Sequence, residues 1–556
     1  MSGVVVHQPQ RWRLSELKLP LDHSDADLEA AIVRRLRLRP GQLQRWSLVK
    51  RSVDARRRDQ IRLVYSLDLE LDLPLAHQQR LAGRFADDPH FKLAPDSRYR
   101  PPQGCCAAVR PVVIGAGPCG YFAALLLAQL GLRPLLLERG KAVRQRTADT
   151  FAFWRGQQPL DPESNAQFGE GGAGTFSDGK LYSQVSEPLP YQRKVLEELV
   201  AAGANPEILT LHHPHIGTFK LATVVRGLRQ RIEALGGTVR FEARVERLLL
   251  DPVDRHVLGV QLASGEAIDA NAVVLAPGHS ARDLFETLHR QGVALEAKPF
   301  AMGLRIEHPQ ALIDQARWGA AAGHPRLGAA EYKLVHHCRT PGLEGRSVWS
   351  FCMCPGGLVV GAASESGMVV TNGMSQHSRN ERNANSGLVV NVDLDDLTPY
   401  GNGPADPLAG VAFQRHWESR AFALAGGSYA APSQSVSAFL GADAVVETVT
   451  ASYQPAVVER DLGQCLPEFV AAALREALPQ FERTIAGYAG PAARLTGVET
   501  RTSSPLRIPR RTTTLECINT PGLFPAGEGA GYAGGILSAA IDGLKVAEQV
   551  ALKARV

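Results

Sequence analysis

The 556-residue sequence predicts an α/β protein whose parallel sheet is assembled from two distant parts of the chain. Residues 111–140 contain a short apolar run, a glycine-rich turn, a helical stretch and a second apolar run. Residues 519–550 repeat the order of apolar run, small-residue turn and helix. Residues 298–494 contain strand-like runs that do not alternate with helices. Alternating elements favour a parallel sheet, and the strand-rich stretch favours a separate mixed or antiparallel sheet.

The first turn has the spacing of a dinucleotide-binding unit. Gly115, Gly117 and Gly120 follow the apolar run 112–114 as GxGxxG. The first glycine permits a tight turn, the second lets a pyrophosphate approach the backbone, and the third lets the helix pack closely on the strand. The N-terminus of that helix offers free N–H groups to phosphate oxygens. Glu138 ends the second strand about twenty residues on, where a carboxylate receives ribose hydroxyls.

Two further stretches predict contacts with the same ligand. The segment NAQFGEGGAGTFSDGKLY, residues 165–182, holds five glycines and cannot form a regular helix or central strand. We expect a tight loop whose backbone N–H groups face an anion or a planar ring, rather than a surface glycine loop. Near the C-terminal end, Glu528 lies in a turn and Gly534 with Gly535 precedes a helix. Such a helix N-terminus can stabilise negative charge on a flavin ring.

A small α+β domain is predicted over residues 1–95. Its strand, helix, strand, strand order fits a ferredoxin-like half or whole domain. A proline-bearing linker, residues 96–110, follows it. The first 110 residues carry 20 Lys+Arg against 13 Asp+Glu, so any attraction for polyanions resides here. The arginines 56–58 could contact RNA, but few aromatic residues accompany them, and a solvated hairpin turn is the preferred interpretation.

Composition argues against several other classes of protein. The eight cysteines include no CxxC pair, so a disulfide scaffold, a structural metal and a dithiol mechanism beside the nucleotide unit are not predicted, and no metal ligands are assigned. We interpret the Cys105/Cys106 pair and the Cys352/Cys354 pair as spectator thiols. The HHPH run at 212–215 is interpreted as a polar loop between helices. No signal peptide or membrane-spanning segment is evident, so a cytoplasmic location is expected.

Seven stretches of the chain resemble one group of flavoproteins. They are, in order, VVIGAGPCG, FGEGGAGTFSDGKL, FCMCPGG, VVTNGMS, NANS, ETRTSSPLRI and FPAGEGAGYAGGI. The chain resembles the glutathione-reductase superfamily and, more closely, a bacterial and plastid branch of FAD-dependent dehydrogenases. The resemblance implies a Rossmann-type FAD domain over 111–297 and 495–556, with a helical insertion at about 186–235. The strand-rich α+β part, 298–494, would form a substrate or cap domain.

The resemblance also implies which residues contact FAD. They come from the glycine-rich stretches and from the turns between them: Gly115, Gly117, Pro118, Gly120, Glu138, Arg139, Gly172, Thr175, Ser177, Lys180, Val245, Gly278, Gly527, Glu528, Gly534, Gly535 and Ile536. A second strand–GxGxxG–helix unit is not evident, so a dedicated NAD(P) domain is not predicted.

The expected reaction is hydride transfer through flavin N5, to or from a small organic substrate or a transiently bound NAD(P)H. Arg501, Ser503, Ser504 and Arg507 could clamp a substrate carboxylate or phosphate, or could equally form a structural connection. Lys180 and Glu365 are candidates for proton transfer. Two alternatives stay open: a flavoprotein that acts on RNA through its basic first domain, and a non-catalytic FAD-binding redox sensor. The sequence indicates neither the substrate nor the oligomeric state.

Overall fold

The computed structural model describes residues 11–103, 110–182, 187–402, 405–442 and 449–554. Cys105 and Cys106 lie outside these ranges. None of the helices within them is long and apolar enough to cross a lipid bilayer. Short 3-10 helices lie at Ala173–Phe176, Pro206–Leu209, Gly319–Ala321, Leu394–Tyr400 and Leu462–Cys465.

The first part of the chain forms a four-stranded antiparallel sheet with strand order β2-β3-β1-β4. Its elements are β1 (Arg11–Pro20), α1 (Asp25–Leu36), β2 (Leu43–Asp54), β3 (Arg62–Leu71), α2 (Leu75–Arg84) and β4 (Phe91–Leu93). The order β-α-β-β-α-β is that of a ferredoxin-like unit. Helix α1 begins with a capping box in which Ser24 and Asp27 each accept from the other's backbone N–H.

A five-stranded parallel sheet, with order β23-β11-β5-β6-β7, combines both distant parts of the chain. Its strands are β5 (Val112–Ile114), β6 (Leu135–Leu137), β7 (Thr238–Arg240), β11 (Val273–Leu275) and β23 (Leu523–Pro525). Val113 pairs with Leu136 on one side and Val274 on the other. Because the strands are parallel, their carboxyl ends and the turns that follow them meet at one edge of the sheet.

Helices α3 (Pro118–Gln129) and α12 (Ile536–Lys553) pack against each other beside this sheet. A Cβ added to Gly543 of α12 would lie 2.2 Å from the carbonyl oxygen of Cys119, so only glycine permits this approach. Helix α3 is buried from Cys119 to Ala128, and this burial inside the protein explains why its sequence is apolar.

Between β6 and β11 the chain adds helices and an antiparallel meander. The helices are α4 (Val143–Trp154), α5 (Leu189–Ala201) and α6 (Thr218–Ala234). The meander, with order β10-β9-β8, consists of β8 (Val245–Leu250), β9 (Val257–Leu262) and β10 (Ala267–Asp269). Helix α7 (Arg282–Arg290) follows β11.

The strand-rich part forms a seven-stranded mixed sheet with order β14-β15-β18-β13-β21-β19-β20. Its strands are β13 (Phe300–Pro309), β14 (Val335–His337), β15 (Ser347–Cys354), β18 (Asn383–Val392), β19 (Ala431–Ser435), β20 (Val457–Glu459) and β21 (Arg494–Glu499). Smaller pairs are β12 (Glu296–Ala297) with β22 (Leu506–Arg507), and β16 (Gly357–Gly361) with β17 (Thr371–Ser375). The helices are α8 (Gln310–Trp318), α9 (Ala409–Leu424), α10 (Val436–Phe439) and α11 (Glu468–Thr484).

One hydrophobic cluster joins the first sheet to the seven-stranded sheet. It contains Leu14 and Ile32 from the first unit together with Trp318, Leu388 and Leu474. The β1–β4 unit therefore packs directly against the strand-rich part.

Candidate active-site cleft

A cleft opens at the carboxyl edge of the five-stranded sheet and encloses about 1600 Å³ of open space, part of it bulk solvent. We call its two sides the sheet wall and the cap wall. The sheet wall consists of cleft-lining residues in the turns after β5, β6, β11 and β23, with the loop 172–174 and the start of α12. The cap wall consists of Lys180, Phe351, Cys352, Cys354, Asn372, Gly373 and Thr502.

Most of the residues predicted to contact FAD line this cleft. They are Gly115, Gly117, Pro118, Glu138, Arg139, Gly172, Ser177, Lys180, Val245, Gly278, Glu528, Gly534, Gly535 and Ile536. Gly120, Thr175 and Gly527 do not line it. A Cβ on Gly120 would lie 1.8 Å from the carbonyl oxygen of Gly115, so this glycine serves the packing of α3 on β5.

The glycines of the sheet wall leave room where a side chain would otherwise protrude. Gly115 has φ +99°, and a Cβ there would lie 2.2 Å from the carbonyl oxygen of Ala276. At Gly278, Gly534 and Gly535, which line the cleft, a Cβ would meet no protein atom within 4 Å. The bare backbone of these glycines is therefore accessible to a ligand.

Glu138 fixes three segments of the sheet wall at once. Its carboxylate accepts backbone N–H bonds from Ala116 (2.8 Å), Gly140 (2.9 Å) and Gly169 (2.9 Å). The side chain is buried, with 5% of its residue surface exposed. In addition to any contact with ribose, Glu138 therefore holds the GxGxxG turn against the second glycine-rich loop, a role that its offset from the first glycine does not indicate.

Arg146 organises the second glycine-rich loop from behind. This fully buried side chain donates to the carbonyl oxygens of Asn165, Ala166, Gly169, Glu170 and Gly172. Thr175, predicted to contact FAD, instead donates its hydroxyl to the carbonyl of Glu170. The loop thus turns several carbonyl oxygens toward a single guanidinium and away from the cleft.

His279 is a functional candidate that the sequence reasoning missed. Its Nδ1 lies 2.9 Å from Oε1 of Glu528, which joins the turn after β11 to the turn after β23. Its other ring nitrogen, Nε2, is buried without a hydrogen-bond partner, although the residue lines the cleft. A buried unpaired ring nitrogen costs free energy, so a ligand group in the cleft would stabilise it.

The turn before α12 is anchored by a buried ion pair. Asp542 accepts the N–H of Gly527 (2.7 Å) and pairs with Arg510. Arg510 also donates to the carbonyl of Pro525 (2.7 Å). A Cβ on Gly527 would lie 2.8 Å from Cβ of Cys119, so Gly527 contacts α3 and not the cleft. Gly535 precedes Ile536, the first residue of α12.

Lys180 is the charged residue of the cap wall. Its Nζ donates to the carbonyl of Met353. Burial by itself would lower the pKa of Lys180, but the carboxylates of Glu331 and Asp178 and the phenol of Tyr182 outweigh it, so the pKa lies above its ordinary value. Lys180 therefore stays protonated at neutral pH. It can donate hydrogen bonds and supply positive charge, but it is a poor base.

Arg501 of the predicted substrate clamp belongs to a buried ion-pair network that joins α7 on the sheet side to the strand-rich part of the chain. We call this network the seam. Arg501 lines the cleft, but it pairs with Glu418 and donates to Ser280 (2.9 Å) and Ser364 (2.6 Å). Glu418 also pairs with Arg282 of α7. Burial would raise the pKa of Glu418, yet Arg282 and Arg501 hold it well below its ordinary value.

Four other candidates lie outside the cleft lining. Glu365 pairs with Arg282 and Arg415. Burial opposes ionisation of Glu365, but the hydrogen bond from Arg415 and the charge of Arg282 lower its pKa, which makes it a poor proton donor. Ser504 donates its hydroxyl to the carbonyl of Leu506 (2.9 Å), and Arg507 lies in β22 with its guanidinium over Tyr532. For Ser504 and Arg507, the geometry favours the structural alternative to a substrate clamp. Ser503, the fourth predicted residue, is half-buried and is not among the cleft-lining residues.

The HHPH run packs as a polar loop. His213 stacks on Tyr182, with 4.2 Å between ring centroids, and His215 stacks on His377. Burial lowers the pKa of His212 to about 4. In the basic first unit, Arg56 pairs with Asp54 and Arg13 pairs with Asp68, so part of its positive charge is compensated locally.

Comparisons with known proteins now assign a family. Three family descriptions match the sequence: "FAD-dependent protein, C-terminal domain-like" over residues 299–502, "FAD dependent oxidoreductase" over 185–316, and a domain of unknown function (DUF8436) over 12–70. An uncharacterized protein of Clostridium beijerinckii is 43% identical over 541 residues, covering 97% of this chain and 98% of its own. The chain belongs to this family of FAD-dependent oxidoreductases.

Two more distant similarities accompany that match. The probable electron transfer flavoprotein-quinone oxidoreductase YdiS of Escherichia coli K12 is 26% identical over 184 residues. That match covers 30% of this oxidoreductase and only 36% of YdiS. A solved structure of a triple mutant of the flavin-dependent brominase Bmp2 is 11% identical, with a TM-score of 0.36 over 80% of each chain.

The cleft fits the cofactor of this oxidoreductase family. His279 and the bare backbone at Gly278, Gly534 and Gly535 line a long groove. The N-terminal ends of α3 and α12, which attract phosphate and other negative charge, lie along it. FAD carries a pyrophosphate, hydroxyls and a ring edge that becomes anionic on reduction, and these are the groups that such a wall would stabilise.

Proposed function

We propose that this oxidoreductase transfers a hydride between FAD on the sheet wall and a small organic molecule under the cap wall. NAD(P)H is included as a donor that visits the same cleft. The observation that supports the proposal is the contrast between the walls: one presents glycine backbone and helix N-termini, and the other presents an ammonium, two thiols and an amide. FAD would supply the hydride chemistry, through N5 of its ring.

The residues of the sheet wall would hold and orient the cofactor. Gly115, Gly117 and Pro118, with the first turn of α3, would bind the pyrophosphate. Glu138 would accept hydrogen bonds from ribose hydroxyls, using the lone pairs that its three bonds to backbone N–H groups leave unoccupied. Glu528 and His279 would bind the ribityl chain, which gives the unpaired Nε2 of His279 a partner. The N-terminus of α12 would stabilise negative charge on the ring edge.

The cap wall would bind the substrate and shield it from water. Lys180 donates one of its three N–H groups to the carbonyl of Met353, and the other two, for which the described residues show no hydrogen-bond acceptor, would donate to a substrate oxygen. Because Lys180 stays protonated, it would polarise a carbonyl or hold an anionic group and would not remove a proton. The buried Arg501–Glu418–Arg282 seam fixes the cap wall relative to α7 of the sheet side.

The observed sheets support the domain division that we predict, 1–95, 96–110, 111–297 with 495–556, and 298–494. Strands β1–β4 form one sheet. Both segments of the proposed FAD domain contribute to the five-stranded sheet, and most of residues 298–494 lie around the seven-stranded sheet. The two-dinucleotide arrangement of the glutathione-reductase superfamily is part of this proposal.

Anaerobic stopped-flow absorbance of the purified protein tests the proposed function. The flavin band is followed after mixing with NADPH and, separately, with NADH. Rapid bleaching by one of them identifies a nicotinamide-driven reductase and directs the search toward acceptors. If neither nucleotide bleaches the flavin band, the organic substrate is the electron donor. A screen of metabolites for flavin reduction then identifies that substrate. A protein that takes up no FAD contradicts the proposal.

A further inference from the structure

The CxC segment of the FCMCPGG motif forms part of the cap wall. Cys352 and Cys354 both line the cleft, at the end of β15. The two residues thus belong to the same wall of the cleft. Cys352 is exposed and Cys354 is buried. The structure thus brings a thiol pair to the nucleotide-binding unit that the sequence separates from it by more than 200 residues.

The backbone of this segment departs from regular strand geometry. The register between β15 and β18 shifts between Phe351 and Cys354, which is a β-bulge. Cys352 has φ +43°, an unusual value for a residue with a side chain. A bulge redirects side chains, and here it places the exposed thiol in the cleft wall.

Two cations hold the carbonyl groups between the sulfur atoms. Arg305 donates to the carbonyl of Cys352 (3.1 Å), and Lys180 donates to the carbonyl of Met353. Arg305 is fully buried and is paired with Glu499. Enclosure in the cleft wall raises the pKa of both thiols above its ordinary value, and the charges of Lys180 and Arg305 oppose this rise without cancelling it. Both thiols are therefore protonated at neutral pH, and the two cations reduce the cost of forming the thiolate that disulfide chemistry requires.

The second thiol is already oriented toward the first residue. Cys354 donates its S–H to the carbonyl oxygen of Cys352, with 3.3 Å between sulfur and oxygen. A Cβ added to Gly373 of the cap wall would lie 3.0 Å from Sγ of Cys354, so this glycine leaves space beside the sulfur. Cys352 and Glu528 of the sheet wall line the same cleft.

We propose that Cys352 and Cys354 form a redox pair that exchanges two electrons with the FAD of the same cleft. This inference rests on the proposed function, because it requires FAD on the sheet wall. In one direction the S–S bond breaks, reduced FAD gives up a hydride equivalent, one proton comes from solvent, and two S–H bonds form. In the reverse direction the two S–H bonds break, the S–S bond forms, FAD gains the hydride equivalent, and a proton returns to solvent.

Counting thiols tests the pair without any enzymatic assay. The protein is isolated in air, unfolded and titrated with a thiol reagent, before and after reduction with a phosphine. We expect two thiols fewer than the eight of the sequence before reduction, and all eight after it. Cys352→Ser and Cys354→Ser should each show every remaining thiol without reduction. Cys338→Ser, which changes a half-buried cysteine outside the cleft, should still lack two. The serine variants assign the disulfide to this pair rather than to Cys105 and Cys106.

An anaerobic reductive titration of the FAD-loaded protein tests the exchange itself. The wild type should take up about four electrons per FAD, two for the flavin and two for the disulfide, and Cys352→Ser about two. Eight free thiols in the isolated protein, or a wild-type titration that ends at about two electrons, overturns the inference. If NAD(P)H bleaches the flavin in that case, the proposed function stands without the redox pair. A protein that retains no FAD overturns both.

Discussion

The two walls of the cleft are built by different means. The sheet wall uses backbone groups and missing side chains, and its parts lie in a few short segments such as 115–118 and 534–536. The cap wall uses side chains drawn from well-separated places, including Lys180, Cys352 and Asn372. Substitutions in the first wall should therefore act through shape and should remove the cofactor. Substitutions in the second should change the reaction while the cofactor stays bound.

The largest effect is expected for Gly115→Val in the sheet wall. The added side chain overlaps the carbonyl of Ala276 and requires a β-branched residue at φ +99°. We expect the FAD content of the purified variant, measured from the ratio of flavin to protein absorbance, to fall below about a tenth of the wild-type value. The control is Gly83→Ala in α2, where a Cβ meets no atom within 4 Å. Full FAD content in Gly115→Val would show that the sheet wall is not the cofactor wall.

The next largest effect concerns the seam that joins the walls. Glu418→Gln removes the charge between two buried guanidinium groups, those of Arg282 and Arg501. Arg282 keeps its pair with Glu365, but Arg501 keeps no carboxylate partner among the described residues, and leaving a buried charge without a partner costs about 3–5 kcal/mol in free energy of unfolding. Urea denaturation of the FAD-loaded protein would measure this loss. Glu197→Gln, which removes an exposed pair with Arg193, should cost less than about 0.5 kcal/mol. Equal stabilities of the two variants would contradict a structural role for the seam.

A smaller effect, confined to the reaction, is expected for Lys180→Met in the cap wall. Loss of the positive charge should slow flavin reduction or reoxidation about 10- to 100-fold, because one preorganised donor is removed from the substrate space. FAD content should stay at the wild-type value. Stopped-flow absorbance with the identified donor or acceptor measures the rate, and Lys220→Met on the exposed face of α6 is the matched control. If Lys180→Met lost FAD instead, this residue would belong to the cofactor wall.

The smallest effect is expected for His279→Ala in the sheet wall. One hydrogen bond to the cofactor is worth about 1 kcal/mol, so the FAD dissociation constant should rise about fivefold. Fluorescence titration of the apoprotein with FAD measures it. His289→Ala, on the exposed end of α7, should leave the constant unchanged. A constant unchanged in His279→Ala would mean that Nε2 of His279 does not contact FAD.

What could be predicted from the sequence follows the same division between the walls. The glycines at 115, 117, 534 and 535 are recognisable because each performs its role within a local turn. The spacing from the first glycine predicts Glu138. It does not predict the hydrogen bonds that Glu138 accepts from Gly140 and Gly169, because Gly169 belongs to a different loop. The sequence predicts Glu365 as a proton-transfer group and Arg507 as part of a substrate clamp, and only the fold shows that both lie outside the cleft lining.

Residues that act through long-range contacts gave no such signal. His279 stands in a small-residue turn, and nothing near it in the sequence indicates its contact with Glu528 almost 250 residues later. The sequence around Arg146 is that of an ordinary helix and does not predict the hydrogen bonds that Arg146 donates to the 165–175 loop. The sequence predicts spectator thiols at Cys352 and Cys354, whereas the fold places both residues in the cleft wall.

The placement of β23 beside β11 in the parallel sheet has a consequence for biosynthesis. Strand β5 emerges from the ribosome roughly 400 residues before β23 and α12, and at 5–20 residues per second that interval is on the order of a minute. During this time the nascent chain carries a half-built nucleotide site with an apolar helix, α3, that still lacks its partner. The parallel sheet that carries the cleft is therefore complete only after β23 and α12 have been synthesised.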